Sequence, residues 1–153
     1  MDYVIQPLTA TDEPILWEMV YQALRVSPDT PRDIVRQPEY ARYVEGWGRA
    51  GDTGFVAYDA KRRDELLGAV WFRVPPGQRE EEATRELAFA VTSGHRKRGI
   101  GAALLTQLVK ANPDCSAVRI SAAPNNPTVR LYERFGFKIV QQSDRAVTMK
   151  REI

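Results

Sequence analysis

The sequence predicts an α/β protein in the α+β sense, with a mixed, mostly antiparallel central sheet flanked by helices in one domain over residues 1–153. Three observations predict it. Segments with strand and helix character follow one another in the order β, α, α, β, β, β, α, β, α, β, β. Hairpins cluster in the first half and crossover helices in the second, which mixes antiparallel with parallel pairing. The composition is globular: 153 residues, 43% hydrophobic and 27% charged, with mean hydropathy −0.42. A chain of this length buries roughly two-thirds of the surface its unfolded form exposes, so it holds a core without staples.

Tyr3 to Leu8 reads as the first strand, centred on Val4 and Ile5. Thr11-Asp12-Glu13-Pro14 starts a helix with a proline in its first turn, and Ile15, Leu16, Met19, Val20, Ala23 and Leu24 recur at helical spacing. Ser27 to Pro31 breaks it, and a second helix is expected from about Arg32 to Glu45. Gly46, Gly48, Gly51 and Gly54 mark a loop. Gly54 to Tyr58 and Leu66 to Val74 read as a hairpin closed by Asp59 to Asp64, and Pro75-Pro76-Gly77 ends it. Gln78 to Arg85 is a polar loop, the least structured part of the chain by composition. Glu86 to Val91 is the next strand. Ile100, Ala103, Leu104, Gln107, Leu108 and Ala111 then recur at helical spacing until Asn112-Pro113-Asp114. Val118 to Ala122 is a strand. Asn126-Pro127 opens a last helix as N-cap and first-turn proline, Gly136 closes it, and Phe137 to Val140 pairs with Val147 to Lys150.

Several classes are excluded or disfavoured. Cys115 is the single cysteine, so no internal disulfide forms. The longest apolar run, Leu66 to Phe72, is far too short to span a bilayer. Met1-Asp2-Tyr3-Val4 carries neither a basic start nor an apolar signal core, so a cytoplasmic protein with no membrane association is expected. A net charge of +2 is too mild to imply nucleic acid. No metal site is expected. Lys61-Arg62-Arg63 and Glu80-Glu81-Glu82 read as solvated loops.

The chemistry concentrates where the strand Glu86-Leu87-Ala88-Phe89-Ala90-Val91 runs through Thr92 to His95 into Arg96-Lys97-Arg98-Gly99-Ile100-Gly101-Ala102. This is a strand, a basic glycine-containing turn and a helix start. The first amides of a helix have no internal partner and sit at the positive end of its dipole. Gly99 and Gly101 let a ligand approach the backbone, and Arg96, Lys97 and Arg98 add charge. Such a turn suits a pyrophosphate. The dinucleotide fingerprint fails because its third glycine position holds Leu104, and a P-loop fails for want of Gly-Lys-Ser/Thr.

The pattern Arg96-x-x-Gly99-x-Gly101-Ala102 instead resembles the acyl-CoA pyrophosphate loop, Gln/Arg-x-x-Gly-x-Gly/Ala, of the GCN5-related N-acetyltransferases. A second block agrees with that family: Asn125-Asn126-Pro127-Thr128-Val129-Arg130-Leu131-Tyr132-Glu133-Arg134-Phe135-Gly136-Phe137, with an Asn seven residues before a Tyr and then a Gly-Phe. The blocks stand in the family's order, and the element order matches over the whole chain. One departure is Ser93, where many members carry a proline.

The resemblance implies an N-acetyltransferase that uses acetyl-CoA as co-substrate. It implies that the strand from Glu86 diverges from the strand from Val118, that backbone groups at Phe89, Ala90 and Val91 hold the pantetheine arm, and that the amides of Arg96, Lys97, Arg98, Gly99, Ile100, Gly101 and Ala102 hold the pyrophosphate. Tyr132 matches the general acid that protonates the leaving thiolate. Asn125 matches a residue that contacts the cofactor arm, and helix capping explains it equally well. The strand Val118 to Ala123 offers no carboxylate, and Glu86 matches the family's other common base position, as base or as a contact to the substrate ammonium, with a surface glutamate at a strand start and an ordered water as the alternatives. Strand alternation puts Glu86 with Ala88 and Ala90, opposite Leu87, Phe89 and Val91.

Trp47, Trp71, Tyr40 and Tyr43 read chiefly as packing aromatics and secondarily as an acceptor pocket, with Tyr43 and Trp47 on one helical face. His95 reads as a solvated loop residue. Cys115 lies in a loop away from both motifs, and no base stands near it for an acyl-cysteine route. The expected reaction is direct transfer in a ternary complex to a primary amine of a small molecule or peptide. A catalytically silent acyl-CoA-binding or regulatory module and a transferase for a longer acyl-CoA stay open, as does a homodimer through the closing hairpin.

Overall fold

The computed structural model describes residues 3–24, 28–49, 51–62, 65–74, 84–91, 99–120, 127–144 and 146–151. Seven strands form one sheet: β1 (Tyr3–Pro7), β2 (Thr53–Asp59), β3 (Leu66–Arg73), β4 (Arg85–Val91), β5 (Ala117–Ile120), β6 (Lys138–Gln142) and β7 (Val147–Lys150). Their spatial order is β1-β2-β3-β4-β5-β7-β6. Every neighbouring pair is antiparallel except β4 with β5. The mixed, mostly antiparallel sheet expected from the sequence is therefore present, with its one parallel pair at the centre.

Helices cover both faces. α1 (Glu13–Leu24) packs on one side, and α3 (Ile100–Ala111) and α4 (Pro127–Arg134) pack on the other. Alternation along the central strands sorts the core. Phe55, Val70, Phe72 and Leu87 join Leu104, Leu108, Val129 and Tyr132 in one cluster. Val56, Ala69, Trp71 and Ala90 join Leu16, Met19 and Val44 in the other. Period-two side-chain geometry makes this partition obligatory once both faces are covered.

The expected helix from Arg32 to Glu45 is broken. A 3-10 segment, Arg32–Arg36, is followed by a single turn, α2 (Pro38–Ala41), and then by consecutive turns to Gly48. Pro38 is the cause. Its ring lacks an N–H and forces Gln37 out of the helical region, to φ −62° and ψ 138°. Tyr43 and Trp47 therefore do not share a helical face. Trp47 is buried and donates from Nε1 to the Thr9 carbonyl at 2.9 Å. Trp71 is buried and donates from Nε1 to the Tyr43 carbonyl at 2.8 Å. Both indoles are packing residues with satisfied N–H groups, which leaves Tyr43 as the aromatic at a cavity wall. No helix among the described residues is long and apolar enough to cross a membrane.

Candidate active site

β4 pairs with β5 through three positions, Arg85 with Val118, Glu86 with Arg119 and Leu87 with Ile120. β4 then continues four residues to Val91, and its other edge stays paired with β3 all the way to Gly68–Val91. Among the described residues the parallel pairing covers the start of β4, and β5 is described as far as Ile120. Phe89 stands on this stretch and is 37% exposed, unusual for a large hydrophobic side chain in a central strand. Ala90 is buried on the α1 face.

α3 starts directly across from this edge. Gly99 is its N-cap in the left-handed region, at φ 81° and ψ −2°, where a side chain would strain the backbone. The Ala103 N–H bonds the Gly99 carbonyl at 3.0 Å, the first bond of the helix. The amides of Ile100, Gly101 and Ala102 precede it and have no partner inside the helix. Ile100 itself is fully buried, so its side chain anchors the helix and only its amide is available to a ligand. Gly101 lets the two come close: a Cβ there would stand 3.0 Å from Cε2 and Cζ of Phe89 and 3.6 Å from Cγ2 of Val91, so the ring would have to shift. The ring of Phe89 thus lies flush on the first turn of α3, joining the strand edge to the helix start. Arg96, Lys97, Arg98, His95, Ser93 and Asn125 lie outside the described residues, as does most of the Gln78 to Arg85 loop.

Tyr132 projects from α4 into the core. It is 0% exposed and meets the ring of Phe137 edge-on, with centroids 5.2 Å apart and planes at 81°. Among the described residues its hydroxyl has no hydrogen-bond partner. A buried phenol normally finds one, so this group is an orphan. Burial, chiefly, and the neighbouring Cys115 push its pKa well above the tyrosine range, against a smaller opposing effect from Arg151. The hydroxyl therefore stays protonated. Cys115 is closer to the second motif than its sequence position suggests, since it shares the core cluster with Tyr132. Its thiol donates weakly to the Ala117 carbonyl at 3.5 Å, and burial raises its pKa. A buried, protonated thiol is a poor nucleophile.

Glu86 lies on the opposite face of the sheet from Tyr132, as the alternation with Leu87 requires. It is only 8% exposed and is ion-paired with the Nη2 of Arg42. It lines a cavity of about 360 Å3 together with Arg42, Tyr43, Glu45, Gly46, Arg49, Arg73 and Val74. Arg73, the register partner of Glu86 on β3, is buried and fully engaged. It grips Asp52 through Nε and Nη2, each at 3.1 Å, and donates from Nη1 to the carbonyls of Glu45 at 2.7 Å and Arg42 at 3.3 Å. Asp52 also accepts from the amides of Gly48 and Arg49 at 3.0 and 3.1 Å. One buried ion pair thus fixes the whole turn 42–49 against the sheet. Sequence reasoning missed both Arg73 and Arg42. The available signal for Arg73 was a lone charge inside the apolar strand Leu66 to Val74.

Comparison with known proteins agrees with this architecture. No curated protein matches the chain by sequence. Solved structures of similar fold include a GNAT-family acetyltransferase from Bordetella pertussis, with TM-score 0.64 and 22% identity over 99% of this chain and 96% of that one. A histone acetyltransferase HPA2-related protein from Corynebacterium glutamicum gives TM-score 0.66 and 20% identity over 100% and 98%. NAA60 of Arabidopsis thaliana, solved in complex with acetyl-CoA, gives 0.58 and 19% over 96% of each chain. The sequence profile of the acetyltransferase (GNAT) family matches residues 17–137, which is most of the chain and spans both faces of the sheet, the β4–α3 junction and Tyr132; the protein belongs to the GNAT acetyltransferase family.

Proposed function

We propose that the protein transfers an acetyl group from acetyl-CoA to a primary amine, directly, in a ternary complex. The observation that carries this reading is the orphaned hydroxyl of Tyr132, sealed in the core and held protonated. Such a group is costly unless a ligand completes it, by roughly 1–3 kcal/mol. A neutral phenol has a hydrogen to offer, and a departing thiolate needs a hydrogen-bond donor beside it.

The remaining residues fit the same ligand. The edge of β4 from Phe89 through Ala90 to Val91 would hold the extended arm by strand-like hydrogen bonds. The amides of Gly99, Ile100, Gly101 and Ala102 would hold the pyrophosphate, helped by Arg96, Lys97 and Arg98. Asn125 would steady the arm. Acetyl-CoA, when bound, supplies the acyl group as a thioester. Glu86 takes a proton from the acceptor ammonium, directly or through a water, which frees the nitrogen lone pair for attack. Tyr132 gives its proton to the departing sulfur and regains one from the second proton that the nitrogen sheds as the amide forms. The sheet separates these two tasks: the acceptor enters on the Glu86 face, and the leaving group is met from the Tyr132 face.

Thermal unfolding with acetyl-CoA, and with NAD and ATP as controls, tests the cofactor. A ligand at about a hundred times its Kd adds roughly 2.7 kcal/mol, a shift of several degrees for a domain of this size. Acetyl-CoA alone should give the shift. Acceptor-dependent CoA release then tests transfer. Stabilisation without release from any amine would leave a silent binding module.

A further inference from the structure

The cavity beside Glu86 holds more charge than deprotonating an amine requires. Its lining contains Arg42, Arg49 and Arg73 against Glu45 and Glu86. Arg73 is not available to a ligand, because Asp52 and two backbone carbonyls take its donors. What remains is two guanidiniums and two carboxylates. Arg42 is committed to Glu86, while among the described residues the side chain of Arg49 has no hydrogen-bond or ion-pair partner. Both arginines sit on the turn 42–49 that the Arg73–Asp52 pair fixes, so their backbone positions are set before any ligand arrives.

We propose that the acceptor is a small primary amine that also carries a carboxylate, with its ammonium taken by Glu86 and its carboxylate by Arg42 and Arg49. This rests on the acetyl-transfer reading above and names the substrate class of that site. The argument is one of charge exchange. An ammonium that reaches Glu86 displaces Arg42, because Glu86 is nearly buried and already paired. A simple amine or a polyamine would release the half-exposed Arg42 to water and gain nothing from it. An amine with a carboxylate a few bonds away replaces both members of the Arg42–Glu86 pair at once and also gives Arg49 an anion, while the exposed Glu45 stays in water. Guanidiniums are suited to the second task because their planar fork binds a carboxylate bidentately. Once the local Arg73–Asp52 pair is set aside, the wall is neutral with separated charges, which complements a zwitterion better than a monocation. A volume of about 360 Å3 holds an amino-acid-sized molecule and not a folded partner.

The test uses amino acids, each matched with the amine that lacks only its carboxylate, such as phenylalanine with phenethylamine and lysine with cadaverine. Two readouts are taken: acetyl-CoA-dependent CoA release, and calorimetric binding in the presence of CoA. The proposal expects at least one acid to exceed its amine partner by about tenfold or more in kcat/KM and in affinity. Arg49→Ala should erase that preference by weakening the acid much more than the amine. Arg49→Lys should restore only part of it, since the fork is lost. Turnover of amines with no preference for the carboxylate would overturn the proposal and leave acetyl transfer standing. Preferential, Arg49-dependent binding of acids without turnover would support the pocket and overturn acetyl transfer. Equal loss for acid and amine in Arg49→Ala, or no binding by any acid, would also overturn the proposal.

Discussion

Glu86 on β4 and Arg42 on the turn after α2 form a salt bridge across the mouth of the cavity, so the carboxylate expected to handle the acceptor is already partnered. The pair is asymmetric: the Arg42 side chain is 46% exposed and that of Glu86 10%. Arg42 can leave for water at little cost, while Glu86 needs a replacement cation. Under the acetyl-transfer proposal the bridge is a placeholder that the acceptor's ammonium displaces. Glu86→Gln keeps the shape and removes the charge. It should lower kcat/KM for amines by about a hundredfold if Glu86 is the base, with the loss shrinking as pH rises and the amine deprotonates in solution. A pH profile of acceptor-dependent CoA release checks this; a uniform loss at all pH values would restrict Glu86 to binding.

Removing Arg42 strands the nearly buried carboxylate. Because the guanidinium is half exposed, the expected loss is only about 1 kcal/mol. A double-mutant cycle of Arg42→Ala with Glu86→Gln, read by urea unfolding, should return a coupling of that size.

Tyr132→Phe should separate stability from activity. The phenylalanine keeps the edge-on contact with Phe137 and deletes the orphaned hydroxyl. Stability without ligand should rise by about 1 kcal/mol, as the buried unsatisfied group is gone. The turnover rate should fall by about a hundredfold or more while acetyl-CoA binding persists. Calorimetry and CoA release measure the two. A destabilised but active variant would contradict the assigned role.

The same hydroxyl governs alkaline behaviour. Unfolded tyrosine releases its proton near its ordinary value of 10.0, whereas burial holds the Tyr132 proton to higher pH. Cys115 shifts the same way from its ordinary value of 9.0. Above these values the folded state binds more protons than the unfolded state, so stability falls as pH rises. It is fully present below about pH 9 and declines progressively above. Tm measured from pH 8 to 11 should show this slope, and Tyr132→Phe combined with Cys115→Ala should flatten it. Tyr132 should contribute no alkaline limb to turnover within the range where the protein stays folded.

Arg73→Ala should be the most damaging single change at the site. It leaves Asp52 buried without its cation and frees the carbonyls of Arg42 and Glu45. Breaking a buried pair by removing one partner costs about 3–5 kcal/mol, a fall in Tm on the order of 10 °C. Acceptor KM should rise with it, because the turn that carries Arg42 and Arg49 is no longer fixed. Differential scanning calorimetry and steady-state kinetics check the two effects.

Much of this was legible in the chain because it depends on local chemistry. Apolar spacing along Ile100 to Ala111 and alternation along Glu86 to Val91 identify α3 and β4 with their inward faces, since side-chain direction in a regular element follows from residue number alone. Gly99 and Gly101 mark a helix start that a ligand can approach, and the structure gives each a definite reason: a left-handed φ for Gly99 and the Phe89 ring against Gly101. The helix expected from Arg32 to Glu45 failed for a local reason too, the backbone restriction that Pro38 places on Gln37.

Legible in the chain alone were the succession of the seven strands and of α1, α3 and α4, the two glycines of the α3 turn, Tyr132 as the phenol of the second motif, and Glu86 on the face away from Leu87. Only the tertiary structure decided what those groups meet. Arg42 and Glu86 are 44 residues apart, Arg73 and Asp52 21, and neither pairing is encoded by any spacing along the chain. Sheet order brings β3 beside β4, and burial of α1 and the turn after α2 on that face then presses the arginines onto the carboxylates. Helix and strand periodicity are properties of neighbouring residues. Ion-pair partners and orphaned hydroxyls are properties of which distant surfaces lose water together, and that is settled only when the two cores close on the sheet.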